Sequence, residues 1–269
     1  MRSRPGATTP EWSVTPPTTR PPVWALLGIG AVTGLVSGLF GVGGGVVIVP
    51  ALVAAFRMDQ RRASATSLVA LLPISIAGTV SYAISGQVDV PAAALLAVGS
   101  VVGSPIGVRL LHRLPSHALP WIFVGFIGVV IVSLLLSPAT RDGDIEIGWA
   151  SGAALVGIGL VAGILSGLVG VGGGVVAVPG LEVVVGAGDL LARGTSLAMM
   201  IPTTVVGILS HRKHVDVDLR SGLSLGAAAV LVTPLGSWLA HQLDPRVGSI
   251  FFAAFLVAVC VVVVLRARR

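Results

Sequence analysis

Two stretches of this chain could bind an anion with backbone alone. Gly34-Leu-Val-Ser-Gly-Leu-Phe-Gly-Val-Gly-Gly-Gly-Val-Val-Ile-Val-Pro50 returns 129 residues later as Gly163-Ile-Leu-Ser-Gly-Leu-Val-Gly-Val-Gly-Gly-Gly-Val-Val-Ala-Val-Pro179, identical at 13 of 17 positions. The triplets Gly43, Gly44, Gly45 and Gly172, Gly173, Gly174 interrupt any helix running through them. A helix that restarts there leaves about four backbone N–H groups without partners, at the positive end of its dipole. Glycine lets a ligand come close to those groups, so each break is a candidate oxyanion-binding end. The same break written into two halves of an apolar chain is a sequence pointer to a transporter site.

Hydroxyls stand near both breaks. Thr66 and Ser67 open the next apolar segment, and Thr195 and Ser196 hold the matching places in the second half. They serve either a helix cap or a ligand. Ser37 and Ser166, one turn before the breaks, face either the same site or their own backbone. Glu182 follows Pro179 by three residues in an apolar context, where its counterpart is Val53. It reads as an interfacial carboxylate or, alternatively, a proton-coupling group. Asp89 and Asp218 read as exposed caps, His112 and His241 as interfacial. Gly34 with Gly38, and Gly163 with Gly167, have the spacing of close helix packing. The triplets also admit that reading, but three consecutive glycines weaken a helix more than packing requires. No nucleophile, base and orienter share a recognisable spacing, and no metal motif is present, so the chain does not read as an enzyme and no cofactor is expected. The single Cys260 excludes an internal disulfide and reads as packing or lipid-facing.

These candidates need elements to carry them, and composition names the class. The chain is 54% apolar and 10% charged, with mean hydropathy +0.98; a soluble domain carries roughly a quarter charged residues. Apolar stretches of about 18 residues or more fit a hydrocarbon core of roughly 30 Å. Continuous runs such as that from Val129 to Leu136 exclude the alternation of a β-barrel. The expected fold is therefore all-α and polytopic. The net charge of +6 comes from Lys and Arg in short loops and at the ends, which fits cytoplasmic loops and not nucleic-acid binding. Residues 1–22 hold six prolines and five threonines; without an apolar run they are no secretory signal and read as a disordered tail.

Apolar segments fall at 23–56, 63–84, 91–111, 120–137, 149–185, 194–210, 221–240 and 248–265. They form two four-segment repeats, 23–137 and 149–265, joined by a polar linker at 138–148 and followed by a basic end at 266–269. The offset of 129 also aligns Pro73 with Pro202, Asp89 with Asp218, Pro105 with Pro234 and His112 with His241. A continuous helix over 23–56 would measure about 51 Å, too long for one crossing. The glycines therefore divide it into hairpin arms, 23–40 and 44–56, with 149–169 and 173–185 as the second pair. If each long segment crossed once, basic residues would divide ten against seven between the two sides of the membrane. With hairpins they divide 14 against three. The positive-inside rule selects the hairpins. The halves are then inverted relative to each other, both termini are cytoplasmic, and the protein is multi-pass in the cell membrane.

The run from Gly41 to Pro50, Ala65-Thr-Ser-Leu68, Pro73, Gly86-Gln-Val-Asp89 and Gly103-Ser-Pro-Ile-Gly107 resemble the sulfite exporter TauE/SafE family of membrane permeases. The second copy, Gly170 to Pro179 and Arg193-Gly-Thr-Ser-Leu197, repeats the pattern. The resemblance covers residues 23–265; Glu182 and the Pro/Thr tail are not part of its pattern. It implies a cytoplasmic-membrane permease for a sulfur-containing or organic anion such as sulfite or sulfoacetate, working as an exporter by alternating access around the glycine breaks. An importer or a passive anion channel on the same fold is the alternative, and a non-transporting scaffold is a third reading. The implied partners are the small anion, the bilayer and a coupling ion, proton or sodium.

Overall fold

In the computed structural model the described residues are 22–115, 121–122, 124–125, 127–128, 131–132, 141, 143–145 and 147–267. The Pro/Thr tail and most of the fourth apolar segment of the first repeat, with part of the linker, lie outside them. The first half contains α1 (Val23–Phe40), α2 (Gly45–Phe56), α3 (Gln60–Ile84) and α4 (Val90–Arg113). The second contains α5 (Trp149–Val169), α6 (Gly174–Gly180) extended by a π turn (Leu181–Val185), α7 (Asp189–His211), α8 (Leu219–Gln242) and α9 (Pro245–Ala267). Six of these helices, α1, α3, α4, α5, α7 and α8, are long and apolar enough to cross a membrane. Leu223, Leu231, Val80, Val98 and Val102 point outward and are exposed, as a lipid-facing surface requires and a water-facing one does not tolerate.

Local chemistry fixes the boundaries. Gly41 and Gly170 end α1 and α5 in the left-handed conformation, with φ of 69° and 77°. Asp89 and Asp218 cap α4 and α8 by accepting from the amides of Ala92 and Ser221; both are half-buried rather than exposed. Asp59 caps α3, which begins at Gln60. Thr66 and Ser67 therefore lie in the second turn of α3 and are not its cap, and Thr195 and Ser196 stand equally deep in α7. Pro50, Pro73, Pro105, Pro179, Pro202 and Pro234 all sit inside helices, in three matched pairs.

α3 and α7 form the centre. The most extensive interfaces lie beside them, α1 on α8 and α4 on α5, and small residues make them. Gly30, Gly34 and Gly38 press against the backbone of Leu225, Ala229 and Thr233; Gly159, Gly163 and Gly167 press against Leu96, Ser100 and Ser104. Every second contact is the first with 129 exchanged between partners. The Gly34/Gly38 and Gly163/Gly167 pairs are thus packing glycines, since a Cβ at any of them would enter the opposing backbone.

The register gives helix directions. Residue numbers rise together across α1/α8, across α4/α5, and across α3/α8, where Gly222 meets Thr66 and Gly226 meets Ala70. They also rise together across α4/α7, where Ser100 meets Thr203 and Ser104 meets Gly207. Across α3/α7 they run oppositely: Tyr82 meets Gly194, Gly78 meets Leu197 and Leu68 meets Gly207. So α1, α3 and α8 point one way and α4, α5 and α7 the other.

Candidate functional site

The chain reverses at both glycine breaks. Gly44 and Gly173, at φ 77° and 85°, precede α2 and α6, and their neighbours Gly43 and Gly172 are left-handed too. Only glycine holds that conformation at no steric cost. Gly44 lies against Thr33 and Gly173 against Ala162, each eleven residues earlier, so each new arm starts back alongside the helix it has just left. The amides of Val47 and Ile48 donate to the Gly44 carbonyl, and those of Val176 and Ala177 to the Gly173 carbonyl. Among the described residues no acceptor takes the amides of Gly44, Gly45 and Val46, or those of Gly173, Gly174 and Val175. All six are buried.

The two turns touch. Gly45 packs on Gly170 and Val171, and Gly174 packs on Gly41 and Val42. Between them lie Leu71 and Met200, themselves a repeat pair and both fully buried. Side chains at Gly43 and at Gly172 would each strike the methyl end of Met200. A flexible thioether therefore covers both breaks at once.

α3 and α7 also supply hydroxyls, but to protein. Ser67 Oγ lies 2.5 Å from the Gly170 carbonyl and 2.8 Å from that of Ser64. Ser196 Oγ lies 2.7 Å from the Gly41 carbonyl and 2.8 Å from that of Arg193. Each thus ties the end of the first helix of the opposite half. Thr195 Oγ1 accepts from the Asp89 amide at 3.0 Å. Thr66 Oγ1, Ser37 Oγ and Ser166 Oγ are buried without a hydrogen-bond partner among the described residues. Glu182 falls in the π turn, eight residues beyond Gly174, half-buried and without an ion pair among the described residues. It is within electrostatic reach of Arg193 and Asp189 but not part of the glycine turns.

Four residues to which the sequence analysis gave no role complete the helix ends. Tyr82 donates its hydroxyl to the Gly38 carbonyl at 2.7 Å, and at the matched place His211 Nε2 bonds the Gly167 carbonyl at 3.2 Å. Because that carbonyl can only accept, Nε2 carries the proton. Arg193 donates to the Leu39 carbonyl at 2.8 Å, while its counterpart Ser64 donates to Val169 at 2.9 Å. Arg193 also pairs with Asp189 at 3.2 Å, the two side chains 5% and 2% exposed, with Arg141 of the linker 3.9 Å from the same carboxylate. Tyr82 stacks by His241, and His211 meets His112 edge-on; these too are exchanged repeat pairs. The sequence signal for them was a hydrogen-bonding residue at equal offset inside otherwise apolar helices.

A family model described as sulfite exporter TauE/SafE matches residues 2–134 and 155–269. Similar proteins include Probable membrane transporter protein YunE of Bacillus subtilis (strain 168), 27% identical over 244 residues, 82% of this chain and 89% of that one. Probable membrane transporter protein YtnM of the same organism is 26% identical over 241 residues, 86% of this chain and 79% of that one. A third relative, a probable membrane transporter protein of Methanocaldococcus jannaschii, is 32% identical over 116 residues, 40% of this chain and 43% of that one.

Proposed function

The chain belongs to the sulfite exporter TauE/SafE family, a family of membrane transporters, and from that premise we propose that it exports a small sulfur-containing or organic anion of the sulfite or sulfoacetate type. The anion is held where the two glycine turns meet, by the amides at the starts of α2 and α6. The observation that carries this is the set of six buried amides without an acceptor among the described residues, three in each half, brought together by the packing of Gly45 on Gly170 and of Gly174 on Gly41. A buried N–H left unpaired costs about 1–3 kcal/mol, and an oxyanion offers several acceptors in one small group. Neutral donors hold it without burying an unpaired cation.

The opposed helix directions support an inverted repeat with its two-fold axis in the membrane plane, both termini cytoplasmic, and alternating access by rocking one half against the other. In the conformation described here Leu71 and Met200 close the site from within the bundle. Opening requires Met200 to leave at least one turn.

Purified full-length protein in proteoliposomes tests this. Labelled sulfite, sulfoacetate and thiosulfate are loaded with and without a proton gradient. At least one is expected to cross in a saturable, protein-dependent way, and Gly44→Val and Gly173→Val should abolish that flux. Flux no greater than in protein-free liposomes for all three anions would overturn the assignment.

A further inference from the structure

Helical threonines in this fold divide into two groups. Thr203, Thr204 and Thr233 each donate their hydroxyl to the carbonyl four residues earlier, at 2.8, 2.8 and 2.7 Å. Thr33 does not. Thr33 is 0% exposed, stands in the middle of α1, and its Oγ1 has no partner among the described residues. Its methyl and its carbonyl oxygen lie against Gly44, the residue immediately before α2. Ser37, one turn later on the same face of α1, is also fully buried with an unpartnered Oγ. In the second half the matched pair is Ala162 and Ser166, and Ala162 lies against Gly173. A hydroxyl proton can rotate to suit an acceptor. One that leaves the carbonyl of its own helix unused, on a buried residue packed against the start of α2, lacks only that acceptor.

Resting on the transport reading above, we propose that Thr33 is a ligand-contacting residue which makes the site unequal. Its hydroxyl donates to an oxygen of the bound oxyanion alongside the amides of Gly44, Gly45 and Val46. The second half has no such donor, since Ala162 stands in its place. The anion is therefore coordinated more fully by the first half, and the ligand class is one with at least two oxygens on a single centre, one for the amides and one for Thr33.

Sulfite binding to the detergent-purified full chain tests this, with thermal stability measured in parallel. Thr33→Val keeps the volume and removes the donor; about tenfold weaker binding or more is expected for one bond to a charged group, with melting unchanged. Thr33→Ser should bind as the native chain does. If Thr33→Val does not fold, the comparison of Thr33→Ala with Thr33→Ser isolates the hydroxyl, because both lose the methyl. Wild-type binding with Thr33→Val or Thr33→Ala equally tight would overturn the role of Thr33 and leave the transport reading standing. Failure of the wild type to bind sulfite, sulfoacetate or thiosulfate would overturn the transport reading itself.

Discussion

The end of α1 and the end of α5 share one backbone solution and use different side chains to hold it. Each finishes on a left-handed glycine, each turns through a second and third, and each has three carbonyls tied by α3 and α7. At α1 the donors are Tyr82, Arg193 and Ser196; at α5 they are His211, Ser64 and Ser67. Only Ser67 and Ser196 are alike. A helix C-terminus carries partial negative charge, and at α1 a buried guanidinium answers it, held in turn by Asp189. At α5 neutral groups suffice. The lesson is that the turn is set by glycine and by its partner turn, while the brace behind it is free to vary.

The comparison depends first on the halves pointing in opposite directions across the bilayer, and breaking that has the largest effect. Cysteines placed at Ser85, in the α3–α4 turn, and at Lys213, in the α7–α8 turn, are both exposed and nearly matched by repeat. In a Cys260→Ser background, a membrane-impermeant thiol reagent is expected to reach Ser85→Cys only from outside and Lys213→Cys only from the cytoplasm. Labelling of both from one face would make the repeats parallel.

A smaller but still large effect tests the unequal braces. Arg193→Ser leaves Asp189 buried with Arg141 at 3.9 Å as its remaining ion-pair partner, and breaking such a pair costs about 3–5 kcal/mol. Asp189→Gln with Arg193→Ser copies the first half, where Gln60 and Ser64 stand, and removes both charges. The double variant should recover a substantial part of the loss, read as melting temperature in detergent. A double variant as unstable as the single would show that the α1 end needs a cation and that the two braces are not interchangeable.

Much of this was legible in the sequence. The duplication, the hairpin arms and the packing glycines follow from composition, spacing and helix length. Asp89 and Asp218 as caps follow from residue type. The sequence could not reveal which carbonyl Ser67 or Ser196 meets, because those bonds join residues 103 and 155 apart across two halves. The buried pair of Arg193 and Asp189 has no mark in the sequence, since i,i+4 spacing says nothing of burial. Thr33 carries no repeat signal, because Ala162 stands at the matched place.

Next in size come the two serines that the halves do share. Ser67→Ala and Ser196→Ala each leave one buried carbonyl underserved, at about 1 kcal/mol. Equal losses in both are expected. A loss at Ser67 alone would mean that Arg193 already satisfies the α1 end and that the shared serine is redundant there.

The smallest effect concerns the far end of the second arm. Arg57 and Gly186 occupy the same repeat position, and both are left-handed, φ 52° and 76°. The closing bonds match as well: Met58 donates to Leu52 and Ala187 to Leu181. No atom crowds a Cβ built at Gly186, so backbone torsion is what separates the two residues. A non-glycine residue there costs roughly 1–2 kcal/mol, and glycine returns about 0.4–1 kcal/mol of that through the freer unfolded chain. Arg57→Gly should therefore stabilise the protein by about 0.5 kcal/mol, and Gly186→Arg should destabilise it by a similar amount. Both are read from melting curves of the full chain. A clear loss of stability in Arg57→Gly would show that the arginine side chain contributes more at this end than its strained backbone takes away, and that the first half keeps it for its charge.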